Sequence, residues 1–484
     1  MNNQETGSEK VRPTRFIPDL QKLLGDSPDI IYRYLEIQHH GAWIIYIEGL
    51  ADPRPTLTAI QEEPMLRGDD PLAAPELFDL LMHHTITEGK VVVEDKLTTI
   101  IDLLLSGYTI IFLQGMDKAL SINTGSLKQR DVQEAASQSV VRGPREGFTE
   151  SLRDNIALVR RRVKNQALRI KSFKLGEETG TETAVMYLEG TAPQETVAEV
   201  LKKLEGIKLD VVLEGNAIEE MIQDEHYSPF PTVYNSERPD VIASGVLEGR
   251  IAIFVDGTPF VLMVPALFMQ FFQSSEDYSQ RGDFGSVVRL LRYICFALSL
   301  LTPSFYIAVT TFHQEMIPTN LLISLIGQRE GVPFPAFVEA LMMEVTFEIL
   351  REAGIRLPKS VGQSVSIVGT IVIGQAAVEA GFVSAAMVIV VSITAISNFA
   401  VPAFNMAISI RMLRFVIMAL AASFGLYGMI IALIMLALHL CQLESVGVPY
   451  MTSFAPFRIR YQKDTFVRLS RPFVRRLSKR GGRG

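Results

Sequence analysis

From Leu290 onward the chain contains apolar runs, almost free of charge, that are long enough to cross a bilayer. A crossing takes roughly 20 residues of helix. The runs suggest four spans, at about 290–312, 361–378, 382–410 and 415–443. The third holds Asn398, Pro402 and Asn405, and polar groups at such depth need partners inside a bundle because lipid offers none. Between the first and second spans, "TFHQEMIPTNLLISLIG" is broken at Pro318 and too short to cross. The next segment, "PFPAFVEALMMEVTFEILREAG", reads as an amphipathic helix with Glu344, Glu348 and Glu352 at i, i+4 spacing. Such a row suits a solvated face, or a vestibule that concentrates cations beside a membrane opening.

The apolarity is unevenly placed. Mean hydropathy is +0.23 with 48% hydrophobic residues, yet up to about Gln280 the chain is an ordinary mixture. That first half reads as one unit built twice. "IYIEGLADP" (Ile45–Pro53) recurs as "MYLEGTAPQ" (Met186–Gln194), and "LSGYTIIFLQG" (Leu105–Gly115) recurs as "LEGRIAIFVDG" (Leu247–Gly257). Tyr46 to Tyr187 is a step of 141, while Gly107 to Gly249 and Phe112 to Phe254 are steps of 142. Each copy reads as α+β, with alternating strands, a helix such as "ETVAEVLKKLEGI" and a closing hairpin. In the second copy that hairpin is "RIAIFVDGTPFVLMVP", turned by Asp256-Gly257 with positive φ. Hydropathy alone would make Ile251–Phe272 a span, but Asp256, Pro259 and the repeat favour the hairpin. Between the copies lies "QSVVRGPREGFTESLRDNIALVRRRVKN", in which Thr149 is the expected helix cap. This segment is a linker with a solvated helix, or a basic face (Arg142, Arg145, Arg160, Arg161) for docking a subunit or anionic lipid.

Nothing points to catalysis. His39-His40 and His83-His84 are adjacent and diverge, whereas helical metal ligands sit at i, i+4. P-loop, G-x-S-x-G and dinucleotide fingerprints are absent, and Cys295 with Cys441 can build neither a disulfide framework nor a zinc site. The expectation is a non-enzyme without cofactor or metal. The opening "MNNQETGSEKVRPTRF" has no apolar core of a signal peptide, so the first half is expected in the cytoplasm. The tail from Arg458 to Arg483 carries ten basic residues against Asp464, which reads as a cytoplasmic, lipid-facing anchor rather than a nucleic-acid tail. Four spans satisfy both termini and leave Glu344 to Glu352 on the opposite side. Arg411 and Arg414 would also fall there, which counts against four.

The second span, "KSVGQSVSIVGTIVIGQ", is uncharged after Lys359 yet dotted with small and polar residues. On a helix Gln363, Ser366, Thr370, Gly374 and Ala377 share one side, with Ile367 at its edge. That side suits a closely packed neighbouring helix. It also suits water, if identical helices from several subunits turn it inward around a narrow pore gated at Ile367.

Several stretches resemble the A subunit of GerA-type spore germinant receptors. They are "QSVVRGPREGFTESLRDN", "SEDYSQRGDF", "TTFHQEMIPTNLL", the long run from Pro333 to Ser384 and "AISNFAVP". The resemblance extends from about Pro18 to Phe473. It implies a protein of the endospore inner membrane with both termini on the core side. It further implies a transporter-like B subunit that senses nutrient, a lipoprotein C subunit, and a ring of identical A subunits, expected to be a pentamer. In that family the ring is thought to conduct monovalent cations, through a pore attributed to the helix matching Lys359–Gln375.

The expected architecture is a duplicated α+β soluble N-terminal domain followed by an α-helical multi-pass membrane domain. The expected boundaries are a polar N-terminus (1–26), two α+β subdomains (27–137 and 138–280), the membrane domain (281–456) and the basic tail (457–484). The expected function is a gated channel subunit. An ion-coupled transporter would need an intramembrane charge or an inverted repeat. A non-conducting signalling scaffold would use the small-residue side only as a packing seam.

Overall fold

The computed structural model describes residues 14–63, 72–85, 90–125, 142–356 and 374–452, with single positions at 11, 66, 135, 138, 140 and 454. The chain forms two compact units, Met1–Asp224 with Val233–Pro265, and Glu225–Thr232 with Ala266–Gly484. The first is α+β and the second helical.

In the first unit the order is α1 (Phe16–Leu24), β1 (Ile30–Ile37), β2 (His40–Ile47), α2 (Arg54–Glu62), α3 (Ala74–Leu80), β3 (Val91–Glu94), α4 (Leu97–Leu104), β4 (Tyr108–Leu113) and β5 (Ala119–Asn123). The order then recurs as α5 (Leu152–Arg162), β6 (Leu168–Leu175), β7 (Thr181–Leu188), α6 (Gln194–Glu205), α7 (Gly215–Ile222), β8 (Tyr234–Ser236), α8 (Pro239–Leu247), β9 (Ile251–Val255) and β10 (Val261–Val264). A π-helical turn at Leu81–Thr85 after α3 has no counterpart among the described residues.

Each copy builds a five-stranded antiparallel sheet, in the orders β1-β2-β4-β5-β3 and β6-β7-β9-β10-β8. The register repeats as well. Ile31 faces Tyr46 and Arg169 faces Tyr187, while Trp43 faces Phe112 and Ala184 faces Phe254. Tyr46 and Tyr187, and Phe112 and Phe254, therefore hold equivalent positions. The glycines of the repeated motifs explain why those motifs persist. Gly107 and Gly249, which end α4 and α8, have φ of 89° and 91°, and the latter lies against the Thr191 carbonyl where a Cβ would be 2.8 Å away. Only glycine takes that backbone without strain.

The apolar stretch after Arg250 is a hairpin, with Val264 opposite Ile251 and Leu262 opposite Ile253. It resembles a span in hydropathy because every residue of β9 and β10 is buried, as in a strand covered on both faces. Its turn differs from the expected two-residue form. Five residues connect the strands, only Gly257 has positive φ (87°), and Asp256 Oδ1 accepts from the Leu152 amide at the start of α5. Ser151, not Thr149, is the residue that caps α5, and Thr149 instead exchanges hydrogen bonds with Asn155.

The helical unit comprises α9 (Glu276–Ser279), α10 (Gly282–Thr311), α11 (Thr319–Arg329), α12 (Ala336–Arg356), α13 (Ala385–Phe399) and α14 (Phe404–Gln442). Ile307, Ala340, Met387, Val391 and Met418 form a core shared by α10, α12, α13 and α14. α10 and α14 are each long and apolar enough to cross a membrane, and α13 is a shorter apolar helix.

The 39 residues of α14 do not form one rod. Ser409 Oγ donates to the Pro229 carbonyl and Ser228 Oγ pairs with His439 Nε2 at 2.9 Å. Ser409 and His439 would be about 45 Å apart on a straight helix, at 1.5 Å per residue. The helix folds back at Gly425, whose φ of 62° and ψ of −141° are non-helical. A side chain there would meet Phe312 and His313 at 3.0 Å, so the turn packs against the end of α10. The opposite end of this bundle is marked by the strap Glu225–Thr232, where Tyr450 Oη donates to Pro231 O and Ser445 Oγ to Thr232 O.

This arrangement corrects the expected third and fourth spans. The break falls at 400–403, where Pro402 has no amide hydrogen to continue a helix. Arg411 and Arg414 lie inside α14 rather than in a loop.

Candidate functional site

The most unusual chemistry of the helical unit lies where α12 meets the first arm of α14. Glu344 and Glu348 are one helical turn apart on α12, and Arg411 and Arg414 nearly one turn apart on α14. Residues spaced by three or four share a helix face. Arg414 Nη2 lies 2.9 Å from Glu344 Oε2 and 3.4 Å from Glu348 Oε1, and Arg411 Nη1 lies 2.5 Å from Glu348 Oε2. The Glu344 and Arg414 side chains are each 1% exposed. Among the described residues neither Glu344 oxygen receives a well-aligned hydrogen bond, and its contact with Arg414 is an attraction of charges. One turn further, the Arg351 guanidinium stacks over Phe399 and Phe404. Removing one member of a buried pair leaves an uncompensated charge, typically at a cost of about 3–5 kcal/mol.

The glutamate row therefore divides. Glu344 is buried and Glu348 mostly so, both paired across the interface, instead of lining a solvated face. Glu352 is exposed and pairs with Arg356 of its own helix at 2.6 Å. Sequence reasoning did not assign Arg411 and Arg414 to the site, although cations inside an apolar helix signal partners elsewhere in the bundle. Glu339, also buried, accepts from the Ser384 amide and hydroxyl and so fixes the start of α13.

Of the expected pore residues, Gln363, Ser366, Ile367 and Thr370 lie outside the described residues. Gly374 is buried, and a Cβ on it would stand 3.5 Å from Val388 of α13. That is ordinary van der Waals contact, so Gly374 packs against α13.

The basic segment between the copies separates too. Arg160 is buried, held by Asp29 at 2.7 and 3.1 Å and by Ser27 at 3.0 Å, and thus belongs to the interior of the α+β unit. Arg161 and Arg162 both bind Glu146. Burial raises the Glu146 carboxyl, but hydrogen bonds from these arginines outweigh it and hold the group below the usual range. Arg142 and Arg145 are exposed. Among the described residues no group of three or more His, Cys, Asp or Glu is arranged to hold a metal ion.

Residues 18–479 match the Bacillus/Clostridium GerA spore germination protein family. The chain belongs to this family. Spore germination protein KA of Bacillus subtilis is 48% identical over 471 residues, covering 95% of this chain and 86% of that protein. Spore germination protein B1 of Bacillus subtilis is 38% identical, covering 94% of each. Spore germination protein GerLA of Bacillus cereus is 42% identical, covering 78% of this chain and 76% of that protein. The crystal structure of the N-terminal domain of the A subunit of the Bacillus megaterium spore germinant receptor GerK3 is 34% identical. It covers 55% of this chain and all of that one, with a TM-score of 0.44. This GerA-family chain thus joins a twice-built α+β unit to a helical unit with a buried ion-pair cluster.

Proposed function

We propose that this GerA-family protein is the A-type subunit of a nutrient-responsive spore germinant receptor. It forms an oligomeric, gated channel for monovalent cations in the spore inner membrane. The observation that carries the reading is a near full-length relation to spore germination proteins in a chain with long apolar helices. The channel itself is supported by the uncharged, small-residue side formed by Gln363, Ser366 and Thr370, with Ile367 as a dewetting gate, while Gly374 packs on α13. The partners are a transporter-like B subunit that senses nutrient, a lipoprotein C subunit, further copies of this chain in a ring, and membrane lipid.

Six crossings fit this chain better than four. They are α10, α12, α13 and the two arms of α14, together with the apolar run 361–378 read from the sequence, most of which lies outside the described residues. The 21 residues of α12 and the arms 404–424 and 426–442 each approach bilayer thickness, about 25–32 Å at helical rise. An even number returns both termini to one side. It also brings Glu352 toward that side, because α12 runs from Ala340 beside Ile307 to Arg351 beside Phe404.

An ion-coupled transporter is the second reading, favoured by one observation. The charges it requires inside the helices exist, as Arg411 and Arg414 with Glu344 and Glu348.

The test is cation flux from vesicles holding the purified receptor, together with its oligomeric state in detergent. Ile367→Ala should leak without nutrient, because removing carbon from a dewetted constriction admits water. Val372→Ala, which a helical reading of the sequence puts on the other side from Ile367, should stay tight. Equal leakiness from both would mean general destabilisation, and flux that requires a co-transported ion would favour the transporter.

A further inference from the structure

We infer that the ion pairs joining α12 to α14 are a latch that holds the closed state. The inference rests on the channel reading above. Among the described residues, the cations that ion-pair with Glu344 and Glu348 all come from α14. None of these contacts is internal to α12, so any movement of α12 away from α14 must break them together. Two acids and two bases pair across the interface, Arg351 of α12 adds a third base near Glu348, and Glu344 and Arg414 are almost completely shielded from water. Separation would leave charges without partners in apolar surroundings, which makes the paired arrangement one of two discrete states rather than a soft contact.

The position of the cluster gives the latch its consequence. α12 ends at Arg356, and Gln363, the first candidate pore residue, follows seven residues later in the chain. Only six residues of chain, 357–362, separate α12 from that residue. Arg351, stacked on Phe399 and Phe404 at 6.0 and 5.7 Å, extends the hold to the junction of α13 with α14. Opening then requires an energy source that exceeds the latch, as differential binding of nutrient by a partner subunit would supply.

Glu348 and Arg411 are the pair to test, because both retain some exposure and tolerate substitution better than fully buried Glu344 and Arg414. Full-length protein in potassium-loaded vesicles is compared as wild type, Glu348→Gln, Arg411→Gln, and the double variant Glu348→Gln with Arg411→Gln. Each single variant should raise unstimulated potassium release about tenfold or more, and the double variant should leak far less than the product of the two single effects, because both act through one pair. Size exclusion in detergent checks that each variant remains folded. A double variant whose leak equals that product overturns the latch, as does a leak that tracks loss of folded protein. Tight single variants beside a leaky Ile367→Ala overturn the latch and leave the channel reading standing. Tight variants throughout, Ile367→Ala included, overturn both.

Discussion

Glu219 offers a test of the α+β unit that needs no ion flux. It lies on α7, only 7% exposed, and its carboxyl bonds to the side chain of Asn235 on β8. Burial pushes the group up from 4.5 to about 7; the Asn235 bond pulls it down and neighbouring Glu220 pushes it further up. From β10 the neighbouring face is apolar, with Leu262 opposite Asn235. Below pH 4.5 the carboxyl is protonated in folded and unfolded chains alike and makes no difference to stability. Between there and about pH 7 the folded chain keeps a proton that the unfolded chain gives up, so stability falls as pH rises. Above about pH 7 the folded chain carries the whole cost of an ionised buried group, about 3 kcal/mol. Glu219→Gln keeps the shape and a partner for Asn235 but has nothing to ionise. Hydrogen exchange of the α7 and β8 amides in the full-length protein, compared between wild type and variant at each pH, reads the difference directly. At pH 8 the variant should be protected more strongly by about 3 kcal/mol, roughly a hundredfold in exchange rate. Near pH 4.5 the two should agree within about 0.5 kcal/mol. A gap of the same size at both pH values, or no gap at pH 8, would refute the argument that burial of this carboxyl is the cause.

Arg160→Met should lower the melting free energy of the α+β unit by about 3–5 kcal/mol, because Asp29 is left buried without its cation. Adding Asp29→Leu should recover most of that loss, and exposed Arg142→Ala should change it by less than about 0.5 kcal/mol in the same thermal melts. Gly425→Ala should destabilise the protein in detergent by about 1–3 kcal/mol, since its backbone lies in a region only glycine occupies freely. With Cys295 and Cys441 replaced, the fold-back should let a short bifunctional thiol reagent join Ser228→Cys to His439→Cys in one variant and Pro229→Cys to Ser409→Cys in another, whereas a straight α14 would allow one link but not both.

The features that were legible beforehand are local ones. The repeat could be read because glycines with positive φ and alternating strand residues leave a signature within ten residues, and that signature recurs at steps of 141 and 142. The same patterns separated the hairpin after Arg250 from a span, and apolar length marked α10 and the part of α14 after Arg414 as candidates for crossing. Tertiary structure decided the rest. A row of glutamates has the same spacing whether it meets water or arginines, and only the approach of α14, more than sixty residues away, determines that Glu344 is buried and paired. A three-arginine run looks like a docking face until Asp29, 131 residues earlier, takes Arg160 into the interior. Gly425 in an apolar run gives no sign of reversing the chain, because a glycine tolerates both helix and turn, and the packing of Phe312 and His313 selects the turn. Sequence by itself determined the repeat, the hairpin and the long apolar runs, since those depend on neighbours along the chain. Which charges pair, and where a long helix folds back, depended on neighbours in space, because an ion pair or a close backbone approach has no fixed separation in sequence.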